Sequence, residues 1–315
     1  MNTNKMKQLL QIGPLPPGLQ SLLEQHYHLH PFWQEPQRAT FLADNADRFD
    51  GAVTMSRHGC SADVFSILSN GVVACFGVGF EGIDLDAARQ YNVQVSTTPD
   101  VLNNCVADCA FGLILATARQ LVAADRFVQA GTWQEKSFGL SSQVSGKRLG
   151  IVGLGRIGQA IAKRATGFDM QLRYHGRRQQ DKVSLIFEPD LHALAEWADF
   201  LVIACRGGEQ TRHLISASVL QALGPNGFLI NIARGSIVDE DALVTAINQG
   251  CIGGAGLDVY AQEPNVPQGL LNNDRVVLLP HIAAATRETR AAMEQLVADN
   301  LQSFFTSGHI LTPPG

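Results

Sequence analysis

The stretch Leu149-Gly-Ile-Val-Gly-Leu-Gly-Arg-Ile-Gly158 lies near the middle of the 315-residue chain and decides its fold. It starts as a short apolar strand and turns at closely spaced glycines. It then continues into a segment whose apolar residues recur at helical spacing: Ile157, Ile161, Ala162 and Ala165. A Gly-x-Gly-x-x-Gly sequence placed between a strand and a helix is the pattern of a dinucleotide-binding turn.

The three glycines of this turn have different predicted roles. Gly153 allows the tight turn, Gly155 lets the backbone approach a pyrophosphate, and Gly158 lets the helix pack closely on the strand. The first N–H groups of the helix are unpaired and carry its positive dipole end, which favours phosphate binding. We therefore predict that six consecutive residues bind the cofactor: Gly153, Leu154, Gly155, Arg156, Ile157 and Gly158.

Composition excludes several function classes. Hydrophobic residues make up 45% of the chain and charged residues 17%, as in a globular enzyme with a large core. The net charge is −5 and long basic runs are absent, which disfavours nucleic-acid binding. No apolar run reaches the roughly 18 residues of a membrane span. The first ten residues lack the apolar stretch of a signal peptide, so the expected location is the cytoplasm.

The six cysteines are scattered along the sequence and form no C-x-x-C pair. Both a zinc site and a disulfide framework are therefore disfavoured, and no metal is predicted. A reducing compartment fits this cysteine usage best, with most of the thiols packed in the core.

Apolar strand candidates and helical segments alternate after the glycine-rich turn. This order predicts a doubly wound parallel sheet of six strands, with the later strands at 171–174, 200–204, 228–232, 255–259 and 276–279. The first hundred residues repeat the theme on a smaller scale, with strands at 8–12, 51–55, 72–76 and 93–96 and helices at 61–69 and 85–90. They predict a smaller flavodoxin-like α/β domain.

Long helices are predicted at 103–130 and 286–305, where the two halves join. The chain after the second helix is too short to form a domain, so it should return to the first one. The prediction is therefore two Rossmann-like domains. A dinucleotide-binding domain at 100–282 is inserted into a substrate domain built from 1–99 and 283–315. Ligands of such sheets bind at the carboxyl ends of the strands.

Several motifs, in this order along the chain, resemble the D-isomer-specific 2-hydroxyacid dehydrogenase family. They are Val78-Gly-Phe-Glu-Gly-Ile-Asp84, Thr98-Pro-Asp100, Val106-Ala-Asp108, the glycine-rich turn, Ile232-Ala-Arg-Gly235, Gly256-Leu-Asp-Val259, Glu263-Pro264 and Pro280-His281. Within the family the chain looks most like the glyoxylate/hydroxypyruvate and hydroxyphenylpyruvate reductases. That closer likeness rests on Ser145-Gly-Lys-Arg-Leu-Gly150, Ala222-Leu-Gly-Pro-Asn-Gly227 and Gly253-Gly-Ala-Gly-Leu-Asp258.

The resemblance implies reduction of a 2-oxo acid to the D-2-hydroxy acid, with three catalytic residues. His281 is the expected general acid, since imidazole exchanges protons near neutral pH. Glu263 is its expected partner, because a neighbouring carboxylate favours the imidazolium form and orients the ring. Arg234 should hold the substrate carboxylate and polarise the ketone through its rigid fork of donors. Taken alone, each would be an ordinary turn or capping residue.

Two loops are candidates for the substrate side. The resemblance implies that backbone N–H groups at Val78 and Gly79 bind the substrate carboxylate, as a nest of amides can do. The loop Ser56-Arg-His-Gly-Cys60 also follows a strand. Arg57 or His58 is expected to contact a polar substrate tail, with Arg57 the preferred candidate, although simple surface exposure is at least as good an interpretation of both.

The end of the second cofactor-domain strand indicates which dinucleotide binds. NAD-specific turns carry an acidic residue there for the ribose 2′-hydroxyl, but this chain reads Tyr174-His-Gly-Arg-Arg178. Guanidinium groups pair with a 2′-phosphate, so NADP(H) is predicted over NAD(H). The predicted contacts here are Gly176, Arg177 and Arg178. By resemblance, Asp258 approaches the nicotinamide carboxamide, and Cys205, Ile232 and Ala233 line the cofactor.

Other functions remain open at this point. Hydroxyphenylpyruvate or 2-ketogluconate reduction is an alternative, because all these substrates share the 2-oxo acid head. A nonenzymatic dinucleotide-sensing corepressor and a formate, phosphite or phosphoglycerate dehydrogenase use related scaffolds. The resemblance also implies a homodimer formed through 103–130 and the arm Thr132-Trp-Gln-Glu-Lys-Ser-Phe-Gly139. Within this dimer, Trp133 or Phe138 of the arm either enters the partner's active site or packs in the interface.

Overall fold

A computed structural model describes residues 6–46, 48–181 and 183–314. The chain divides into two compact units, Met1–Leu102 with Arg287–Gly315, and Asn103–Thr286. The domain boundaries predicted from the sequence, after residues 99 and 282, lie three and four residues before these. The differences arise because each boundary lies at the start of a long helix: the second unit begins with the helix Asn103–Ala118, and the chain returns to the first unit with the helix Arg287–Ser307.

The first unit is built on a five-stranded parallel sheet with the order β2-β1-β3-β4-β5, which is the flavodoxin-like order. Its strands are β1 (Lys7–Gln11), β2 (Tyr27–Pro31), β3 (Gly51–Met55), β4 (Val72–Phe76) and β5 (Gln94–Ser96). Its first helices are α1 (Pro17–Glu24), α2 (Arg38–Asp44), α3 (Ala62–Ser66) and α4 (Leu85–Gln90). All five residues of β4 are buried, as expected of a strand with both faces covered.

The sequence did not predict β2, α1 or α2. Tyr27–Pro31 alternates histidine with apolar residues and ends in proline, so it lacks the continuous apolar run of the other strands. It forms the edge of the sheet and, among the described residues, pairs along its length with β1 alone. An edge strand is covered less completely than a central one, which is why its side chains are less apolar.

The second unit is a doubly wound sheet with seven parallel strands in the order β12-β11-β10-β9-β6-β7-β8. They are β6 (Arg148–Val152), β7 (Gln171–His175), β8 (Ile186–Phe187), β9 (Phe200–Ile203), β10 (Phe228–Asn231), β11 (Gly254–Leu257) and β12 (Val276–Leu278). Its helices are α5 (Asn103–Ala118), α6 (Leu121–Gln129), α7 (Arg156–Ala165), α8 (Leu191–Trp197), α9 (Ala217–Leu223) and α10 (Glu240–Gln249). The sequence predicted six of these strands and missed the two-residue β8, which is too short for an apolar pattern.

The single helix predicted at 103–130 is wrong, because the structure has two helices there. Gln120 adopts a left-handed backbone with φ +52°. The carbonyl of Ala118 accepts a hydrogen bond from Ser142 N at 2.9 Å instead of continuing the helix. The two helices, α5 and α6, meet at a bend of 58°.

Within the described residues, no single helix is long and apolar enough to cross a membrane. The bent pair α5 and α6 meets that criterion only when its two members are taken together.

The last helix, α11 (Arg287–Ser307), belongs to the first unit. The tail that follows it is fixed by Asn300, which is fully buried and accepts hydrogen bonds from Leu311 N and Thr312 N at 2.9 and 3.0 Å. Thr312 O in turn accepts from Thr97 N at 3.0 Å. The chain end is thereby joined to the segment after β5, as the expected return to the first domain requires.

Candidate active site

Six of the seven strand ends in the second unit carry residues for which the sequence predicts a function. Because all strands of this sheet are parallel, their carboxyl ends lie along one edge. The glycine-rich turn follows β6, the two arginines follow β7 and Cys205 follows β9. Arg234, Asp258 and His281 follow β10, β11 and β12. The fold thus gathers cofactor and catalytic candidates at the edge where ligands of such sheets bind.

The glycine-rich turn has the local geometry that a dinucleotide requires. Gly153 has φ +94°, and a Cβ there would lie 2.5 Å from backbone atoms of Cys205. A Cβ on Gly158 would lie 2.2 Å from the carbonyl oxygen of Gly153. A Cβ on Gly155 would meet nothing within 4 Å, so this position faces open space at the N-terminus of α7. Strand, turn and helix N-terminus therefore fit a pyrophosphate group.

The segment after β7 carries Arg177 and Arg178, which are both exposed. Within the described residues, neither guanidinium makes a hydrogen bond or an ion pair with the rest of the chain. The end of β7 is joined to the glycine-rich turn by a hydrogen bond from Gly153 N to His175 O at 2.8 Å. Two unpaired cationic side chains therefore follow the strand next to the dinucleotide turn.

Asn231 organises the turn that carries Arg234. Its side chain is buried, with Nδ2 donating to Arg234 O at 2.9 Å and Oδ1 accepting from Ala233 N at 3.0 Å. Ile232 and Ala233 are buried within this turn, and Arg234 itself is half-buried. An asparagine closing a turn onto its own backbone is a familiar local motif. The sequence prediction did not include Asn231, although its place at a strand end was a usable signal.

Glu263 and His281 form a direct pair. Nδ1 of His281 lies 2.7 Å from Oε2 of Glu263. The other carboxylate oxygen, Oε1, accepts from Tyr260 N at 3.2 Å, which fixes the direction of the side chain. Since Nδ1 is engaged by Glu263, Nε2 is the nitrogen available for a substrate. The imidazole side chain is 46% exposed, so a small molecule can reach it.

Asp258 holds the turn that follows His281. Its carboxylate is almost fully buried and accepts from Ile282 N at 2.7 Å and Ala283 N at 3.0 Å. His281 itself has a left-handed backbone with φ +54°, which is uncommon for a residue with a side chain. The two amide hydrogen bonds keep this backbone in place. The structure thus shows a positioning contact that the sequence prediction for Asp258 did not contain.

Gly235 lets the segment after β11 approach Arg234. A Cβ at this position would lie 1.8 Å from the carbonyl carbon of Tyr260 and 2.1 Å from Ala261 N. Ala261 N donates to Glu240 at 2.8 Å, so the segment is also held from the side of α10. Only glycine allows this backbone contact, which no local sequence pattern could predict because the two segments are far apart in the chain.

Two carboxylates of the site have opposite pKa shifts. Burial acts to raise the pKa of Glu263, but the hydrogen bond and charge of His281, with Tyr260 N and Arg234, bring the pKa below its usual value. Burial raises the pKa of Asp258, and the amides of Ile282 and Ala283 and the charge of His281 offset this only in part. Glu263 is therefore the better anionic partner for an imidazolium.

The Glu263 shift predicts how stability depends on pH. A carboxyl whose pKa is lowered by folding stabilises the fold above its unfolded pKa, and loses this effect as pH falls through the folded pKa. We expect the unfolding free energy of the wild type to decline below pH 4.5 more steeply than that of Glu263→Gln. The difference should stay within about 1 kcal/mol, because the pair is partly exposed. Urea titrations across the acid range measure it, and parallel curves would contradict it.

The loop after β4 in the first unit presents two unpaired amides. Within the described residues, the N–H groups of Val78 and Gly79 donate to no acceptor. Gly77 has φ +133°, and its N–H donates to Thr98 Oγ1 at 3.0 Å, while Thr98 N donates back to Gly77 O at 2.9 Å. Thr98 thus fixes the start of the loop and leaves the next two amides for an anion.

The loop after β3 contains Arg57, which is exposed, and His58. Nε of Arg57 donates to Nε2 of His58 at 3.2 Å. Burial and the charge of Arg57 lower the pKa of His58. The His58 ring packs on Gly13, where a Cβ would lie 2.2 Å from its Nδ1. The guanidinium of Arg57 is therefore held by one hydrogen bond while the residue stays exposed, which is compatible with both interpretations of it.

Comparison with known proteins agrees with this geometry. The model of the D-isomer specific 2-hydroxyacid dehydrogenase NAD-binding domain matches residues 111–283. A glyoxylate/hydroxypyruvate reductase A from Arabidopsis thaliana is 42% identical over 97% of this chain and 98% of its own. A hydroxyphenylpyruvate reductase from Plectranthus scutellarioides is 41% identical over 97% of this chain and 98% of its own.

Solved structures match over almost the whole chain. A 2-hydroxyacid dehydrogenase from Ketogulonicigenium vulgare Y25 has a TM-score of 0.91 at 38% identity and covers 98% of both chains. An NADPH-dependent glyoxylate/hydroxypyruvate reductase from Sinorhizobium meliloti, solved with NADP and malonate, has a TM-score of 0.89 at 38% identity. It covers 98% of this chain and 97% of its own. The chain therefore belongs to the D-isomer specific 2-hydroxyacid dehydrogenase family, as the sequence motifs indicated, and is an oxidoreductase with a Rossmann-type NAD-binding domain.

Proposed function

We propose that this enzyme reduces a 2-oxo acid of the glyoxylate or hydroxypyruvate type to the D-2-hydroxy acid, with NADPH as the reductant and His281 as the general acid. The observation that carries the proposal is the 2.7 Å contact between His281 Nδ1 and Glu263. It orients the ring, supports its positive charge and leaves Nε2 to donate a proton. The substrates of the relatives from Arabidopsis and Sinorhizobium support the choice of acid.

The chemistry divides between the cofactor and the chain. When bound, the nicotinamide supplies the hydride. Arg234 binds the substrate carboxylate and polarises the ketone, since its planar fork can engage two oxygens at once. Nε2 of His281 gives its proton to the ketone oxygen, and the carboxylate of Glu263 stabilises the imidazolium until it does. The side chain of Asp258 holds the turn after His281, and the side chain of Asn231 holds the turn that carries Arg234, in both cases through hydrogen bonds to backbone groups.

For the first unit, we propose that the unpaired amides of Val78 and Gly79 bind a carboxylate, and that Arg57 contacts a polar tail. Amides that converge without a charged side chain form an anion-binding nest. The proposal rests on the absence of acceptors for these two N–H groups within the described residues.

A panel of substrates tests the reaction. We expect measurable NADPH oxidation with glyoxylate and hydroxypyruvate, and the kcat/KM values for hydroxyphenylpyruvate and 2-ketogluconate rank the alternative reductase activities. If no 2-oxo acid in the panel is turned over while NADPH still binds, the proposal of 2-oxo acid reduction is wrong.

The cofactor preference is tested separately. We propose that Arg177 and Arg178 bind the 2′-phosphate of NADPH, because both are exposed and, among the described residues, have no partner, and they follow the strand next to the glycine-rich turn. The double variant Arg177→Ala/Arg178→Ala should lower kcat/KM for NADPH by about 10- to 100-fold, the effect of losing charge-assisted hydrogen bonds. The value for NADH should change less than about threefold. A wild type that prefers NADH would contradict this assignment.

We also propose that the enzyme is a cytoplasmic homodimer whose interface includes α6 and the arm after it. Large apolar side chains are exposed there: Leu121, Val122, Val128, Trp133 and Leu140. Several exposed large apolar side chains within one segment are typical of a surface covered by a partner. Sedimentation velocity gives the molar mass, and a monomer at micromolar concentration would contradict the dimer.

A further inference from the structure

Gln180 holds the arginine-bearing segment after β7 at two points. Its backbone N–H donates to the hydroxyl of Tyr174 at 2.8 Å. Its side-chain Nε2 donates to the carbonyl oxygen of Leu154 at 2.8 Å. Tyr174 is a buried residue of β7, and Leu154 lies inside the glycine-rich turn. The segment 176–180 is therefore tied both to the strand that it leaves and to the dinucleotide turn beside it.

Arg177 and Arg178 lie between the end of β7 at His175 and Gln180. Their guanidinium groups have no partner within the described residues, so their own side chains do not fix the course of the segment. The two hydrogen bonds of Gln180 restrain the backbone on the far side of the arginines from β7. A binding segment that is already ordered loses less conformational entropy when its ligand binds.

We propose that Gln180 is the positioning residue for cofactor choice: it sets the preference for a 2′-phosphorylated dinucleotide by fixing the arginine segment against the glycine-rich turn. This inference rests on the proposed role of Arg177 and Arg178. Gln180 acts through them rather than on the phosphate, so its loss leaves both charges present but attached to a freer backbone.

The expected effect is selective for one dinucleotide. The glycine-rich turn keeps its own supports when Gln180 is lost, including the hydrogen bond from Gly153 N to His175 O at 2.8 Å and the close packing of Gly158. Binding of the part common to NADP⁺ and NAD⁺ should therefore persist. Only NADP⁺, whose 2′-phosphate requires Arg177 and Arg178, should bind more weakly, because its binding must then order the segment.

The chain provides a matched control in Gln159. Its Nε2 donates to the same Leu154 carbonyl, at 3.4 Å, but from α7 rather than from the arginine segment. If the Leu154 carbonyl needed a donor only to stabilise the turn, Gln159→Leu and Gln180→Leu would have similar effects. If Gln180 positions the arginines, only its own replacement changes cofactor choice.

The experiment measures dissociation constants by isothermal titration calorimetry for NADP⁺ and NAD⁺, which differ only in the 2′-phosphate. We expect Gln180→Leu to weaken NADP⁺ binding about tenfold, the effect of one lost hydrogen bond, and NAD⁺ binding less than about twofold. Tyr174→Phe removes the other attachment and should act in the same direction. It provides a second test if Gln180→Leu folds poorly. Gln159→Leu should leave the NADP⁺ to NAD⁺ ratio unchanged.

The outcomes separate this inference from the function on which it rests. If Arg177→Ala/Arg178→Ala lowers the NADP⁺ to NAD⁺ affinity ratio but Gln180→Leu and Tyr174→Phe do not, the positioning role is wrong and the arginine assignment stands. If the double arginine variant leaves the ratio unchanged, both are wrong. An equal loss for both dinucleotides in Gln180→Leu would show that Gln180 only supports the turn, and would overturn the inference.

Discussion

Replacing His281 with alanine should lower kcat by about 100- to 10,000-fold, the range that a general acid contributes. The variant keeps Arg234, so substrate binding should weaken far less, and KM should stay within a few-fold of the wild type. The reason lies in the contact at 2.7 Å between Nδ1 and Glu263, which leaves Nε2 as the nitrogen that we propose to be the proton donor. Alanine leaves no group to take its place, and water must then supply the proton.

Steady-state kinetics with the best substrate of the panel measure this loss. His192→Ala is the matched control, because His192 is an exposed histidine of the same unit whose partners among the described residues are Ser218 and Asp190, which lie outside the site. It should retain wild-type kcat. NADP⁺ affinity should be unchanged in both variants, which shows that each is folded around its cofactor site. A kcat for His281→Ala within a few-fold of the wild type would remove His281 from the mechanism.

The parts of this site that the sequence predicted are those encoded within a few residues. The turn 153–158 is one of them, because strand, glycines and helix follow each other directly and each glycine has a local reason. Arg234, Glu263 and His281 were identified through resemblance to a family. Nothing in their spacing indicated that Glu263 would contact His281, which lies eighteen residues later.

The parts that the sequence did not predict depend on contacts between distant segments. Gly235 is required by the backbone of Tyr260, and Gln180 matters because it reaches back to Leu154. Hydrophobic periodicity cannot predict such contacts, since it describes one segment of the sequence at a time. The break at Gln120 has the same origin, because the Ala118 carbonyl is taken by Ser142 from outside the helix.

The second large effect is expected at Gly235. An alanine Cβ there would lie 1.8 Å from the carbonyl carbon of Tyr260 and 2.1 Å from Ala261 N, far inside van der Waals contact. Both neighbours are backbone atoms, so no change of rotamer can relieve the overlap. The segment must move, and it carries Tyr260 N, the donor that orients Glu263. We expect kcat/KM to fall at least about 100-fold, because misplacing a catalytic group by about 1 Å has effects of that size.

The Gly235→Ala variant should also be less stable, by about 1–3 kcal/mol, as is typical when a packed interior is overfilled. Gly167→Ala is the control, because an added Cβ there meets nothing within 4 Å and that variant should keep full activity. Kinetics, thermal unfolding and NADP⁺ titration distinguish the causes. A folded variant that binds NADP⁺ normally but turns over slowly indicates a displaced Glu263, because the glycine-rich turn follows a different strand. Activity within about threefold of the wild type would show that the segment can move without disturbing the pair of Glu263 and His281.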